Sequence, residues 1–131
     1  MRDLVLVVDD NAANAKLERV LLEKSGYDVV IAPDAAAALA RLAERRPSLI
    51  LMDLQLPGMD GFTLTRKLRE DPATATLPIV AVTAYAMKGD EARALESGCN
   101  GYLTKPINTR TFVAVVSGYI AGAGAGSAAI P

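Results

Sequence analysis

Polar side chains follow four short apolar runs of this sequence, and they are the side chains that could do chemistry. Asp9 and Asp10 follow LVLVV, Asp53 ends LILMD, Thr83 ends PIVAVT, and Lys105 follows GYLT. The 131-residue chain has no histidine, which excludes Ser/His/Asp and Cys/His catalysis as well as histidine-ligated metals. Any chemistry at these positions therefore depends on carboxylates, a hydroxyl and an ammonium group.

The apolar runs alternate with segments of helical periodicity, so the sequence predicts five strands and five helices. Short valine-rich runs are typical of strands buried on both faces of a parallel sheet. The predicted strands cover residues 4–8, 28–32, 49–53, 78–83 and 101–104. The predicted helices cover residues 11–25, 34–46, 62–70, 88–97 and about 109–119. This alternation favours an α/β three-layer αβα sandwich with a flavodoxin-like parallel sheet of order 2-1-3-4-5.

The spacing of apolar residues also predicts which helix faces point to the core. The first helix is expected to bury Ala13, Leu17, Val20 and Leu21, and the fourth helix Ala92 and Leu95. Residues 121–129 contain only Ala, Gly and Ser, which offer too little side-chain area to anchor a segment. We therefore expect one domain over residues 1–120, followed by a flexible Ala/Gly-rich tail at 121–131.

The polar residues should meet at one edge of the predicted sheet. In an open parallel sheet, ligands bind at the carboxyl ends of the strands, near the point where the strand order reverses. Three carboxylates would converge there and repel one another, and a hard divalent ion such as Mg²⁺ would relieve that repulsion. Such a pocket suits phosphoryl transfer to a carboxylate, with Asp53 as the nucleophile and Lys105 neutralising the phosphoryl oxygens.

Each of these residues, taken alone, has a simpler explanation. Asp9 and Asp10 could cap a helix, Asp53 and Thr83 could be turn residues, and a lone lysine is usually solvated. The functional interpretation depends on their combination, since all of them fall at the carboxyl ends of the predicted strands within one domain.

Four motifs resemble those of the response-regulator receiver domain of two-component signalling. They are VVDDN at 7–11, LILMDLQLPGMDG at 49–61, PIVAVTA at 78–84 and GYLTKPI at 101–107. The resemblance covers about Leu4 to Tyr119. AYAMKGDEA at 84–92 and GCNGYLTKPI at 98–107 are most similar to stand-alone cell-cycle receivers of the DivK type and to receivers attached to hybrid histidine kinases.

The resemblance implies a phosphoacceptor and a metal site. Asp53 would accept the phosphoryl group. Asp10 and Asp53 would ligate Mg²⁺ directly, the backbone carbonyl of Gln55 would join them, and Asp9 would act through water.

The resemblance also implies a phosphate-binding set and a switch. The phosphoryl group would be bound by Leu54, Thr83, Ala84 and Lys105. Tyr102 would turn inward when Thr83 moves. The peptide bond before Pro106 would be cis. Gln55 and Tyr85 would partly block the approach of the water molecule that hydrolyses the phosphoryl group.

A receiver is a signalling switch that catalyses only its own phosphoryl transfer and autodephosphorylation. By the same resemblance, the phosphodonor would be a histidine kinase or a histidine phosphotransfer protein. A downstream protein would bind the face formed by Met87 to Tyr119, and the chain would be a monomer or a weak homodimer.

Composition limits the partners and the compartment. The net charge is -1 and the basic residues are scattered, so nucleic-acid binding is not expected. No apolar run approaches the ~18–20 residues that span a bilayer, so membrane insertion is not expected. A single cysteine, Cys99, and the lack of a signal peptide favour the cytoplasm.

Three other interpretations remain open. A phosphohydrolase that forms an aspartyl phosphate would want a second carboxylate two residues after the nucleophile, where this chain has Gln55. A dinucleotide or flavin module would want a GxGxxG motif after the first strand, and none is present. A receiver that is one module of a larger regulator would use residues 121–131 as the start of a linker, although the start at Met1 favours an independent domain.

Overall fold

The computed structural model describes residues 2–84 and 89–122, and strands and helices alternate in it as predicted. The strands are β1 (Leu4–Val8), β2 (Asp28–Ala32), β3 (Leu49–Asp53), β4 (Ile79–Thr83) and β5 (Gly101–Thr104). The helices are α1 (Ala12–Lys24), α2 (Ala35–Glu44), α3 (Gly61–Glu70), α4 (Asp90–Ser97) and α5 (Phe112–Ile120). One parallel sheet has the order β2-β1-β3-β4-β5, which confirms the predicted topology.

The register of the sheet brings the carboxyl ends of its strands to one level. Asp53 at the end of β3 pairs with Val82, and Thr83 at the end of β4 pairs with Thr104. The N–H of Asp9 extends the β1 ladder by donating to the carbonyl of Ala32. The polar residues that end these strands therefore share one edge of the sheet.

Helices cover both faces of the sheet, and each face has its own apolar core. On one face, α1 and α5 pack on the sheet through Ala15, Leu22, Phe112, Val116 and Tyr119. On the other face, α2, α3 and α4 pack through Ala35, Ala38, Phe62, Leu64, Leu68 and Ala94. The layers match the predicted αβα sandwich.

Side-chain caps begin three of the helices. Asn11 accepts a hydrogen bond from the N–H of Asn14, and Asp60 accepts one from Thr63. Asp34 accepts from the N–H of Ala37 over 2.8 Å, as its position before α2 predicted. Because α1 and α3 begin just after β1 and β3, these caps also fix the loops at the sheet edge.

The predicted inward face of α1 was right only for Leu21, which packs against the core, while Ala13 is exposed. Leu17 and Val20 are 42% and 39% exposed, whereas Ala15, Glu18 and Leu22 are buried. The spacing of apolar residues did not predict this face because the face contains Glu18, which is not apolar.

The predicted inward face of α4 was also wrong. Ala92 is exposed and Leu95 is 42% exposed, while Ala94 and Ser97 are buried. Ser97 can be buried because its hydroxyl donates to the carbonyl of Arg93 over 2.8 Å, which removes the cost of an unpaired polar group.

Two predictions about the ends of elements have different outcomes. The last helix begins at Phe112 rather than near residue 109, because residues 109–111 form turns. The predicted tail lies mostly outside the described residues, which end at Gly122. Within the described part of the chain, none of the helices is both long and apolar enough to cross a bilayer.

Candidate functional site

Three carboxylates meet at the edge where β1 and β3 end. Asp9, Asp10 and Asp53 each place a carboxylate oxygen within 4.8 Å of the others. Asp9 and Asp53 are buried, at 3% and 6% exposure, and Asp10 is exposed. The carboxylate cluster predicted from the strand ends is therefore present.

Lys105 reaches this cluster from the end of β5. Its Nζ atom donates to Asp9 Oδ2 over 2.7 Å and to Asp53 Oδ2 over 3.3 Å. Its backbone N–H donates to the carbonyl of Thr83 over 2.8 Å, which ties the start of the loop to β4. The bond from Lys105 to Pro106 is cis, as the resemblance implied.

Burial and charge act in opposite directions on the ionisable groups of this cluster. Burial raises the pKa of Asp53, and the nearby charge of Asp9 adds to the rise, while the N–H of Gln55 and the Lys105 ammonium oppose it. Burial alone would lower the pKa of Lys105, but its bonds and charge interactions with Asp9 and Asp53 outweigh that effect and raise it. Lys105 therefore stays charged and partly compensates the three carboxylates.

Backbone groups hold both buried carboxylates in place. The N–H of Asn11 donates to Asp9 Oδ1 over 2.8 Å, and the N–H of Gln55 donates to Asp53 Oδ1 over 2.9 Å. Each bond spans two residues, as in an Asx turn. The side chains are thus oriented by the loops that follow their own strands.

Gly61 closes the loop that follows Asp53. Its N–H donates to the carbonyl of Leu54 over 3.1 Å. A Cβ atom at this position would overlap the main-chain atoms of Asp53 and Leu54. The start of α3 therefore packs directly against the backbone of the strand end, which only glycine permits.

Two further predicted residues lie near the cluster or on the strand beside it. Thr83 is 1% exposed at the end of β4, next to Lys105 in the backbone pairing. Tyr102 lies on β5, and its hydroxyl is buried without a hydrogen-bond partner among the described residues. Burial, followed by the charges of Asp90 and Glu91, raises the pKa of Tyr102. Of the other predicted residues, Leu54 is buried, Gln55 and Ala84 are exposed, and Tyr85 is outside the described residues.

Glu18 is a neighbour of the cluster that the sequence did not predict. It is 2% exposed on the inward face of α1. Burial, followed by the charge of Asp9, raises its pKa to about 8, although Lys105 lowers it. A glutamate on a helix is usually exposed, so no local sequence pattern could have predicted that Glu18 is buried.

This fold, with three carboxylates and a lysine at the carboxyl ends of its strands, defines a receiver domain. The sequence model of the response regulator receiver domain matches residues 5–117, and the chain belongs to this family. It is a signalling domain of two-component systems.

Relatives of this chain include polar-differentiation response regulators called DivK. The chain is 43% identical over 116 residues to the protein from Brucella anthropi, covering 88% of this chain and 94% of that protein. It is 42% identical over 120 residues to the protein from Brucella ovis, covering 92% and 98%. The DivK-like character indicated by residues 84–92 and 98–107 is thus confirmed.

Solved receiver structures have the same architecture. The receiver domain of the sensor histidine kinase PA1611 from Pseudomonas aeruginosa superposes with a TM-score of 0.84 at 32% identity, covering 92% of this chain and 99% of that chain. That structure has a magnesium ion coordinated in its active-site cleft. A CheY-like receiver from Methanospirillum hungatei superposes with a TM-score of 0.85 at 29% identity, covering 93% and 96%.

Proposed function

We propose that Asp53 accepts a phosphoryl group from a histidine kinase or a histidine phosphotransfer protein. The observation that carries this proposal is the buried Asp53 side chain with Lys105 Nζ at 3.3 Å and two further carboxylates beside it. Asp53 ends β3, which lies between β1 and β4 in the sheet, and one of its oxygens is oriented by the N–H of Gln55. Asp9 is paired more tightly with Lys105, at 2.7 Å, and Asp10 is exposed. It is therefore the best-positioned nucleophile of the three carboxylates.

The donor set fits a magnesium ion. The three carboxylates offer only oxygen ligands, which a hard cation such as Mg²⁺ prefers, and one lysine leaves their charge under-compensated. Asp10 and Asp53 would hold the ion together with the backbone carbonyl of Gln55, and Asp9 would act through water. When bound, the ion would neutralise charge on the phosphoryl oxygens.

The chain's own residues would supply the rest of the chemistry. A carboxylate oxygen of Asp53 would attack phosphorus, form an acyl phosphate and displace the donor's imidazole. Lys105, which pairs with Asp53 over 3.3 Å, would transfer its hydrogen bond to a phosphoryl oxygen. The Thr83 hydroxyl and the backbone N–H groups of Leu54 and Ala84 would complete the phosphate-binding set. Water would later hydrolyse the acyl phosphate, at a rate set by Gln55 and Tyr85.

Phosphorylation would change a protein-binding face. Thr83 would move toward the phosphoryl group and Tyr102 would follow, which would shift an existing equilibrium in α4, β5 and α5. A downstream protein would then bind the face of residues 87–119, of which 87 and 88 lie outside the described residues.

We further propose one domain over residues 1–120 with a tail at 121–131, in a cytoplasmic protein that is a monomer or a weak homodimer.

Labelling with acetyl phosphate and Mg²⁺ tests the assignment of Asp53. We expect the protein to gain one hydroxylamine-labile phosphoryl group, measured by intact mass, and EDTA to prevent it. Asp53→Asn should abolish the gain. Asp60→Asn is the matched control, since asparagine caps α3 as well as aspartate does. Undiminished labelling of Asp53→Asn would refute the proposal.

A further inference from the structure

A groove of about 290 Å³ lies along β5 between α4 and α5. All of β5, Gly101 to Thr104, lines it. Glu91 and Leu95 border it from α4, and Val115 and Tyr119 border it from α5. The groove therefore gives access to the strand itself and not only to the helices beside it.

The outer edge of β5 is available for pairing within this groove. β5 is the last strand in the sheet order and pairs on one side with β4. In the part of the chain that the structure describes, no strand pairs with its other side. Part of the backbone N–H and C=O groups of an edge strand point away from the sheet and form a template for another extended chain.

Two buried hydroxyls also point to a ligand with hydrogen-bond acceptors. Within residues 2–84 and 89–122, the hydroxyls of Tyr102 and Tyr119 have no hydrogen-bond partner, and both residues line the groove. Tyr119 is 3% exposed, and its hydroxyl lies over Gly101, where a Cβ atom would overlap it. Burial raises the pKa of both tyrosines, so both hydroxyls keep their protons and can donate. Unpaired buried donors are costly, and a carbonyl that enters the groove would satisfy them once the side chains turn toward it.

The charge of the groove selects among extended chains. Among the described residues that line the groove, Glu91 is the one with a charged side chain. Asp90, its neighbour in sequence, adds negative charge near Tyr102. Leu95, which is 42% exposed, offers an apolar contact on the same side. A small groove with a negative rim fits a segment that has small side chains and a lysine or arginine opposite Glu91.

We propose that a partner protein contributes such an extended basic segment, which adds to β5 as a sixth strand. Main-chain hydrogen bonds to β5 would supply affinity, and Glu91 would supply selectivity for the basic residue. This inference rests on the proposed output role of the face and names how that face recognises its partner. Because Tyr102 belongs to β5, its inward movement on phosphorylation would change the groove that the segment enters.

The probe is a pool of blocked heptapeptides, each with one lysine and six residues drawn from Ala, Gly, Ser, Thr and Val. Binding to the full-length protein is followed by amide shifts and by hydrogen exchange of β5. The matched probe is the same pool with alternate backbone nitrogens methylated, which removes donors on one edge without changing any side chain. We expect the unmethylated pool to slow exchange in β5 and methylation to weaken binding at least tenfold.

Two pairs of variants separate the contributions of the groove. Tyr119→Phe should weaken peptide binding about fivefold through loss of one hydrogen bond. Tyr27→Phe should leave it unchanged, since the Tyr27 hydroxyl bonds Ser117 outside the groove. Glu91→Gln should weaken binding in low salt and remove its salt dependence, whereas Glu96→Gln on an exposed face of α4 should not.

The outcomes distinguish this inference from the proposed function. Equal binding of the methylated pool, no protection of β5 by any member, or tighter binding of a helical peptide would overturn strand addition. Protection of β5 that rises with protein concentration alone would identify a second copy as the occupant and would also overturn it. Strand addition that acetyl phosphate does not change would support the inference while refuting the phosphorylation-dependent output.

Discussion

Lys105 and Asp9 form the tightest ion pair of the described residues, with 2.7 Å between Nζ and Oδ2 and both side chains at less than a tenth exposure. Asp9 therefore holds the ammonium group away from a symmetric position between the buried carboxylates. Lys105 competes with any cation that these carboxylates would bind, because it already neutralises part of their charge.

Replacement of Lys105 should separate metal binding from phosphorylation. Lys105→Met is expected to raise Mg²⁺ affinity several-fold, since a competing cation is lost, and to lower the rate of phosphorylation by acetyl phosphate at least tenfold. Titration with Mg²⁺ and intact-mass kinetics measure the two effects. Lys16→Met, on the exposed face of α1, should change neither. Weaker Mg²⁺ binding in Lys105→Met would contradict the competition described above.

Removal of the Thr83 hydroxyl should leave phosphorylation largely intact and abolish its readout. Thr83→Ala keeps Asp53 and Lys105, but nothing at the end of β4 would follow the phosphoryl oxygen. Hydrogen exchange across α4, β5 and α5, with and without acetyl phosphate, measures the readout. Thr63→Ala, at an exposed position of α3, should respond as the wild type does. A wild-type exchange response in Thr83→Ala would show that this residue is not part of the switch.

Glu18 should make the protein less stable as the pH rises. The ordinary pKa of a glutamate is 4.5, and burial raises the pKa of Glu18 to about 8 in the fold, so the folded state binds the proton more tightly. Its contribution is fully present below pH 4.5 and is lost progressively up to pH 8, by about 5 kcal/mol at most. Glu18→Gln cannot titrate, so urea unfolding should show a gain in its relative stability between pH 5 and pH 9.

The control for Glu18 is Glu96→Gln on the exposed surface of α4, which should keep the wild-type dependence of stability on pH. A stability difference between Glu18→Gln and the wild type that stays constant across this range would show that Glu18 is ionised throughout.

Two glycines should respond oppositely to alanine. Gly61→Ala places a Cβ against the backbone of Asp53 and Leu54, and we expect a loss of about 1–3 kcal/mol in the free energy of unfolding. Gly118→Ala, inside α5 with open space around it, should gain about 0.5–1 kcal/mol. Chemical denaturation measures both, and a neutral Gly61→Ala would mean that the loop relaxes freely.

The strands and the cluster were predictable because their signals are local. Each strand is a continuous apolar run, and Asp9, Asp53, Thr83 and Lys105 lie directly at strand ends, so the order of strands alone brings them together. The burial of Glu18 was not predictable, because it depends on how α1 is rotated against the sheet.

The contacts of Arg69 illustrate a second limit. This side chain on α3 donates to the carbonyls of Gly98, Thr74 and Ala75 and to the side chain of Asn100. Such bonds join parts of the chain that are up to 31 residues apart. A single arginine among other surface cations gives no sequence signal of this role.

The same arginine fixes the C-terminal end of α4 in place. The guanidinium of Arg69 donates to the carbonyl of Gly98 over 2.9 Å, just beyond the last turn of α4. Any displacement of α4 would therefore pivot about Gly98, so that it would be largest at Asp90 and Glu91 and smallest at Ser97.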